Sequence, residues 1–566
     1  MATVVTREYK NLGGVDFTNS EVQLNRSPYA LNVWKNYKTL GKAIETRPSL
    51  ELVKKVDNTI FGLFFYTDLS TDKKYMLIHS GASLKSYEIG TKSEYVLKAT
   101  GMNPRKSQSF IYGNKIYIKD GLNYLECTGT TCNEVVGYIP TTTIGKAPSG
   151  GGTAYEDVNL LSDYRKNLFV ADGESTQYVL DAQEISDVTV KINGVSTTDF
   201  TVDSVNGKVT FTAAPPKPLT DGQGNVEIQF KKVVNGNADK INKCTLLEVF
   251  DSRVFFSGNK NYPNTVFHSS LDYPNYVSDL DYYNEGMDMS PVRAMVSGNE
   301  ALWVFKEPSQ ANTNVFYHTP MVDSVYGKVY PNSHSNIALG CIATAINFND
   351  DICFFSNRGM EGITGDIQNE NFVGHRSSLV DNRLLAESGY ADMILAEWEG
   401  YLLIFIGNKV YLADSKAMWT NISHFEYEWF YWELEKEITC AIVEGGILYL
   451  CTKQGEEYGI YTLTGIADMV SYWTTPKDDF KYSNYQKVTN KKSVVIEVEG
   501  DDIELSTKSD GNEFNLISTY ENTKGYIVPK IKLKKFRDMQ LKIGSNKRFK
   551  LVSCTLEAFI GAYVKR

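Results

Sequence analysis

Acid pairs are the first residues in this chain that could do chemistry. Asp350-Asp351, Glu361, Glu397 and Glu399 fall within a run of alternating strand pattern. Paired carboxylates of this kind serve glycoside hydrolysis, one protonating the leaving oxygen while the other attacks or activates water. With 68 acidic residues among 566, however, acids cluster by chance, and solvated turns account for these as well. No S-x-D-x-G-x-T-W box accompanies them. The six histidines (79, 268, 318, 334, 375 and 424) form no HxH or HxxxH pair. Cys127 and Cys132 have no second pair at zinc-ligand spacing, so they predict two reduced thiols in a polar turn. Phosphate-binding, nucleophile-elbow and dinucleotide motifs do not occur in a strand-to-helix context. The sequence therefore predicts no catalytic residues, no metal site, no cofactor and no enzymatic role.

The cations are more informative. Net charge is −10, which disfavours a generic nucleic-acid binder held by phosphate contacts. From Lys524 to Arg566, though, twelve Lys or Arg face only Asp538 and Glu557, a net of +10, which leaves −20 for residues 1–523. Lys530, Lys532, Lys534, Lys535 and Arg537, with Lys547 and Arg548, are candidate contacts to an acidic partner. Alternatively, lysines on KIKLKKF guard a sheet edge against aggregation. Eight cysteines, in a chain opening on MATVVTREYKNLGG with no apolar leader, predict reduced thiols and no secretory signal. No apolar run is long enough for a membrane span.

The elements that would position these residues are strands. Tyr, Phe and Gly are abundant, long helical periodicity is absent, and one pattern repeats: turn, apolar strand, turn, strand ending in an aromatic. Taking Phe61, Phe110, Val249, Ala301, Ile352, Tyr401 and Ile447 as equivalent points, the gaps are 49, 139, 52, 51, 49 and 46 residues. A further strand precedes each unit. Four strands per ~50 residues is the size of a β-propeller blade, and the odd gap is one blade plus an insertion of roughly 90 residues. An irregular array of hairpins in two or three sandwiches is the alternative. Cys244, Cys341 and Cys440 begin inner strands and read as small core fillers.

The predicted organisation is an N-terminal arm (1–55), first blades (56–150), an inserted small β-sandwich (151–240), the remaining blades (241–475) and a basic C-terminal β-sandwich (476–566). The insertion rests on strict alternation with Asn193-Gly194 and Asn206-Gly207 turns. In the arm, Ser27-Pro28 reads as a helix start, giving one short helix over PYALNVWKNY. Trp34 and Tyr37 would lie on it, packing either on a neighbouring subunit or on the chain's own propeller.

The stretch from Asn11 to Val53 resembles the opening of virion proteins of tailed bacteriophages, in which Gly-Val-Asp, Ser-Pro, Ala-x-Asn and Arg-Pro-Gly precede a β-propeller. The matching residues are Gly14, Val15, Asp16, Ser27, Pro28, Ala30, Asn32, Arg47 and Pro48, with Ser49 where Gly is common. The insertion and the last 35 residues are also similar to parts of this group, the tail-nozzle or tail-stabilisation proteins of short-tailed phages and related head–tail connectors. The resemblance implies a homo-oligomeric ring, commonly a hexamer, contacting portal, adaptor or other tail proteins. Double-stranded DNA would pass along the ring axis without sequence-specific binding. It further implies a place in the virion tail after assembly in the host cytoplasm. Two other readings stay open: a receptor-binding subunit using the inserted sandwich, and a propeller hydrolase acting on glycan.

Overall fold

The computed structural model describes residues 3–18, 22–38, 43–324, 327–363, 373–421 and 424–563. Among these, strands dominate and the helices are short, Asn237–Asn242 and Asp381–Leu384. None is long and apolar enough to cross a membrane. The fold is a β-propeller of four-stranded antiparallel blades with two β-sandwich additions. Seven such sheets follow one another over residues 60–98, 108–134, 246–284, 292–334, 345–375, 394–433 and 437–465, which here are called blades 1 to 7. Blade 7 takes its outermost strand from the N-terminal side: Ser49–Val56 pairs with Glu457–Gly465, so the strand preceding blade 1 completes the last blade.

The chain divides into two compact units. One is Phe64–Ala338; the other joins Met1–Leu63 to Leu339–Arg566. In the first, the leading strands Gln108–Tyr112, Leu246–Phe250 and Val292–Gly298 lie side by side, as inner strands of successive blades do. Phe255, Val266, Leu302, Val304 and Phe316 fill the space between blades 3 and 4. The insertion has a core of its own, built on Phe169, Tyr178, Phe211, Val226, Ile228 and Phe230. It starts earlier than the alternation indicates, because Thr141–Lys146 runs parallel to Tyr164–Phe169 and belongs to its larger sheet.

Cys127 and Cys132 are joined by a disulfide, not reduced as the sequence predicts. Their five-residue separation folds into a hairpin, and the two stand directly opposite on strands Tyr124–Cys127 and Cys132–Glu134. Of the remaining cysteines Cys244, Cys341, Cys353, Cys451 and Cys554 are buried and Cys440 is half-buried.

In the second unit the N-terminal arm is not a separate segment. Thr3–Tyr9 pairs antiparallel with Phe549–Tyr563, from Thr3 opposite Ile560 to Tyr9 opposite Cys554. Val33–Trp34 and Ile44–Thr46 extend the same sheet. The expected helix does not form. Asn32 sits at φ 55°, the Ser27 hydroxyl accepts the Tyr29 N–H in a local turn, and Leu31 bonds Tyr472. These tertiary backbone bonds outcompete helical ones over a stretch too short to nucleate alone. The C-terminal sandwich therefore combines residues 471–563 with arm strands, and the arm also threads blade 6. The Gly13 N–H donates to Asn25 O, Val15 to Trp429 O and Asn32 to Tyr431 O.

Close approach at Gly14 tests this packing. A Cβ there would lie 1.6 Å from the Trp429 carbonyl oxygen, which is impossible without moving arm or blade. Gly14→Ala is expected to destabilise the protein by at least about 2 kcal/mol. Gly90→Ala, with open space around its Cβ, should stay within about 0.5 kcal/mol. Chemical denaturation of the two variants measures the difference.

Candidate interaction surface

The basic tail predicted from sequence resolves into two groups. Lys530, Lys532, Lys534, Lys535 and Arg537 are exposed. Lys547 and Arg548 are not free. The Lys547 ammonium binds Asp501 at 2.7 Å and Asp502 at 3.1 Å, and those carboxylates hold it charged. Arg548 donates to the carbonyls of Arg47 and Thr46 at 3.0 and 3.1 Å, tying the C-terminal strand to the arm. Lys565 and Arg566 lie outside the described residues.

The exposed cations share one edge. Thr523–Ile527 pairs outside Val494–Gly500, and Lys534–Phe536 pairs outside Tyr485–Val488. Those inner strands lie along the same flank of Phe549–Tyr563, so residues 523–536 make one outermost row of the sheet. Thr489 bridges the gap, donating its N–H to Leu533 O and accepting the Leu533 N–H on its hydroxyl. Along this row Ile531 and Phe536 are buried while Lys530, Lys532, Lys534 and Lys535 face out. Below it, buried Lys487 donates to the carbonyls of Tyr482, Tyr485 and Arg537, and burial lowers its pKa. Residues 523–537 contain six cations and no acid.

Edge-guarding lysines alone do not explain this face. Tyr526 is 70% exposed, Val528 is also exposed, and Leu516 and Ile517 lie open on Asn515–Tyr520, the edge strand of the other sheet of the sandwich. Aromatic and apolar side chains interspersed with cations characterise a protein-binding patch. The KIKLKKF alternation signals the lysines; the open Tyr526 and Leu516 depend on pairing between distant strands and carry no local signal.

Trp34 is buried in the second unit, stacked on Trp398 with ring centroids 5.4 Å apart and edge-on to Trp432 at 5.7 Å. It packs on blade 6. Tyr37 is 42% exposed but held to the same blade: its hydroxyl donates to Asp414, and the Lys416 ammonium lies 4.6 Å over its ring.

Several of the acids weighed for catalysis have partners in the fold. Asp351 receives Arg376 at 2.9 Å and the Tyr427 hydroxyl at 2.9 Å. Glu399 pairs with Lys38 at 2.5 Å, Glu397 is exposed, and Asp350 occupies a turn at φ 63°. Glu361 joins His375, whose imidazole donates to Asp381 at 2.5 Å and to Glu361 at 3.2 Å. These two carboxylates push His375 up to about 10. Among the described residues no His, Cys, Asp and Glu group is placed to hold a metal ion.

No protein-family model and no curated protein matches this chain. Solved structures similar to it include a catalytically inactive virginiamycin B lyase from Staphylococcus aureus with quinupristin, at 11% identity and a TM-score of 0.35, over 73% of this chain and 98% of that one. BamB from Moraxella catarrhalis is 7% identical with a TM-score of 0.34, over 81% of this chain and 98% of that one. Likenesses at this level carry no argument about activity.

His375 gives a pH test. Its folded pKa lies above the ordinary histidine value near 6.5, so the protonated form stabilises the fold. That contribution is complete below pH ~6.5 and is lost as pH rises through about 10. His375→Gln should flatten the decline in stability across this window while affecting stability below pH 6 by a constant amount; denaturation midpoints from pH 5 to 10 report it.

Proposed function

We propose that this protein is a structural component of a tailed-phage virion, a ring of six copies at the tail or head–tail junction that retains and conducts the genome. The observation that carries the reading is the 523–537 edge, a continuous row of outward cations flanked by open apolar side chains. Such an edge gives the register and charge steering that a repeated subunit contact needs. Support also comes from the arm: Gly14, Val15, Ser27, Asn32 and Arg47, among the residues that resemble the phage-protein opening, help lock it against blade 6 and the C-terminal sandwich. Gly14 and Arg26 both bind Glu428, and Arg47 binds Asn32. Portal, adaptor or other tail proteins are the axial partners. Duplex DNA passes along the ring axis, where an acidic chain repels phosphate and lets the strand slide.

The insertion supports a second reading, a receptor-binding subunit, because its independent core makes it a separable module. Mass photometry of the purified full-length protein tests the first reading, with negative-stain imaging of any assembled species. Discrete closed rings are the expected result. A monomer at every concentration, alone and with tail components, overturns it. Replacement of 164–231 by a short linker, which joins ends already bonded through the Lys232 N–H and Asp163 O, should leave rings intact; particles that assemble but no longer adsorb to cells would favour the receptor reading for that module.

A further inference from the structure

A second exposed surface answers the basic edge in charge. Residues 271–289 carry Asp272, Asp279, Asp281, Glu285 and Asp288 and no Lys or Arg. Two of these acids are engaged internally: buried Glu285 binds His318 at 2.7 Å, and Asp288 binds the buried Lys306 ammonium at 2.5 Å. Asp279 and Asp281 gather with exposed Asp157, whose carboxylate accepts the Ser278 hydroxyl, and Asp272 is exposed earlier on the same segment. Burial and the like charge of Asp157 push Asp279 up. Asp281 is raised to about 6 by burial and by both neighbouring acids, beyond what Arg253 offsets. Lys240, Arg165 and Arg253 offset these acids only in part, and His268 lies 4.0 Å from Asp281.

The same segment is unusually apolar for an exposed one. Leu280 is 68% exposed, Met287 103% and Met289 63%, with Leu271, Tyr273 and Tyr282 open beside them. Tyr282–Asn284 is the outermost strand of blade 3. Leu271 and Leu280 flank its start, and Met287 follows its end, so the patch runs along a sheet edge. Flexible Met and aromatic side chains adapt to an opposing surface without close preformed fit. Their cost in water is the reason such patches mark contacts.

We infer that the acidic, methionine-bearing outer edge of blade 3 receives the 523–537 edge of a second copy of this chain. The six cations meet Asp157, Asp272, Asp279 and Asp281, while Tyr526 and Val528 meet the methionines and Tyr282. The two surfaces differ, so the contact is head-to-tail, and a rotation that closes on itself makes it a ring. A phosphate backbone would satisfy the cations but not the apolar side chains beside them, which is why a protein face fits better. This inference rests on the ring reading and names its contact.

The test uses the full-length protein in mass photometry at fixed concentration. Lys532→Glu with Lys534→Glu, and separately Asp272→Lys with Asp279→Lys, should each reduce rings by about tenfold. Mixed together, the two variants should recover rings, because the altered edge of one meets the altered face of the other. Zero-length carbodiimide coupling of a mixture of isotope-labelled and unlabelled wild-type copies keeps the test independent of whether the variants fold. It should give labelled-to-unlabelled links between Lys530–Lys535 and Asp272–Asp281. Wild-type rings that lack these links, or rings undiminished in either variant, place the contact elsewhere and overturn the inference while the ring reading stands. Wild-type protein that never forms rings removes both. Retention of a 30-base-pair duplex on the edge, lost in the lysine variant while rings persist, assigns the edge to nucleic acid and also overturns it.

Discussion

Arg47 lies fully buried in the second unit, and a guanidinium can be there only if its N–H groups are satisfied. It donates to Asn32 Oδ1 at 2.9 Å, Pro48 O at 2.9 Å and Glu433 O at 2.7 Å, with Glu435 at 3.4 Å. Asn32 in turn accepts the Glu433 N–H and donates to Val470 O. Arm, blade 6 and the entry to the C-terminal sandwich are thus fixed by one polar knot. Two residues later Ser49–Val56 begins, the outer strand of blade 7. Where Arg47 is held decides the register with which the last blade is completed.

Other residues of the arm act at or beside the same joint. Gly14 permits contact with the Trp429 carbonyl, and Val15 is buried beside it. Asp16 closes a turn on Thr18. The Ser27 hydroxyl accepts the Thr474 N–H, binding arm to sandwich. The Trp473 indole N–H donates to Gly13 O, and that of Trp432 to Val33 O. The pattern is a set of packing and hydrogen-bond requirements for threading an extended chain between two sheets.

Charge is partitioned by the same logic. Acids inside the second unit are matched: Glu428 by Arg26, Asp351 by Arg376, Glu361 and Asp381 by His375, Glu387 by Lys409. Removing one partner of such a pair leaves an uncompensated charge, so these groups are committed to the fold. The exposed cations of the 523–537 edge and the exposed Asp157 and Asp272 are not drawn into the fold in this way. They are held on strand edges where a second surface can reach both their charges and the apolar groups between them.

Blade spacing, the insertion's hairpins and the basic C-terminal sandwich were legible because β structure writes a period of two, and turns such as Asn193-Gly194 mark its breaks. Each point of the ~50-residue repeat falls in a different four-stranded sheet, Phe61, Phe110 and Val249 on leading strands and the other four on second strands. Tertiary structure decided what local pattern cannot carry. PYALNVWKNY has helix-start residues, yet backbone bonds to Tyr431 and Tyr472 hold it extended. Trp34 shows no sequence sign of whether it meets solvent or Trp398. Cys127 and Cys132 became partners only once their strands paired. Lys534 and Lys547 look alike in sequence, but Asp501 and Asp502 occupy only the second. In each case the deciding contact joins residues far apart in the chain or across a strand pair, where sequence periodicity ends and pairing begins.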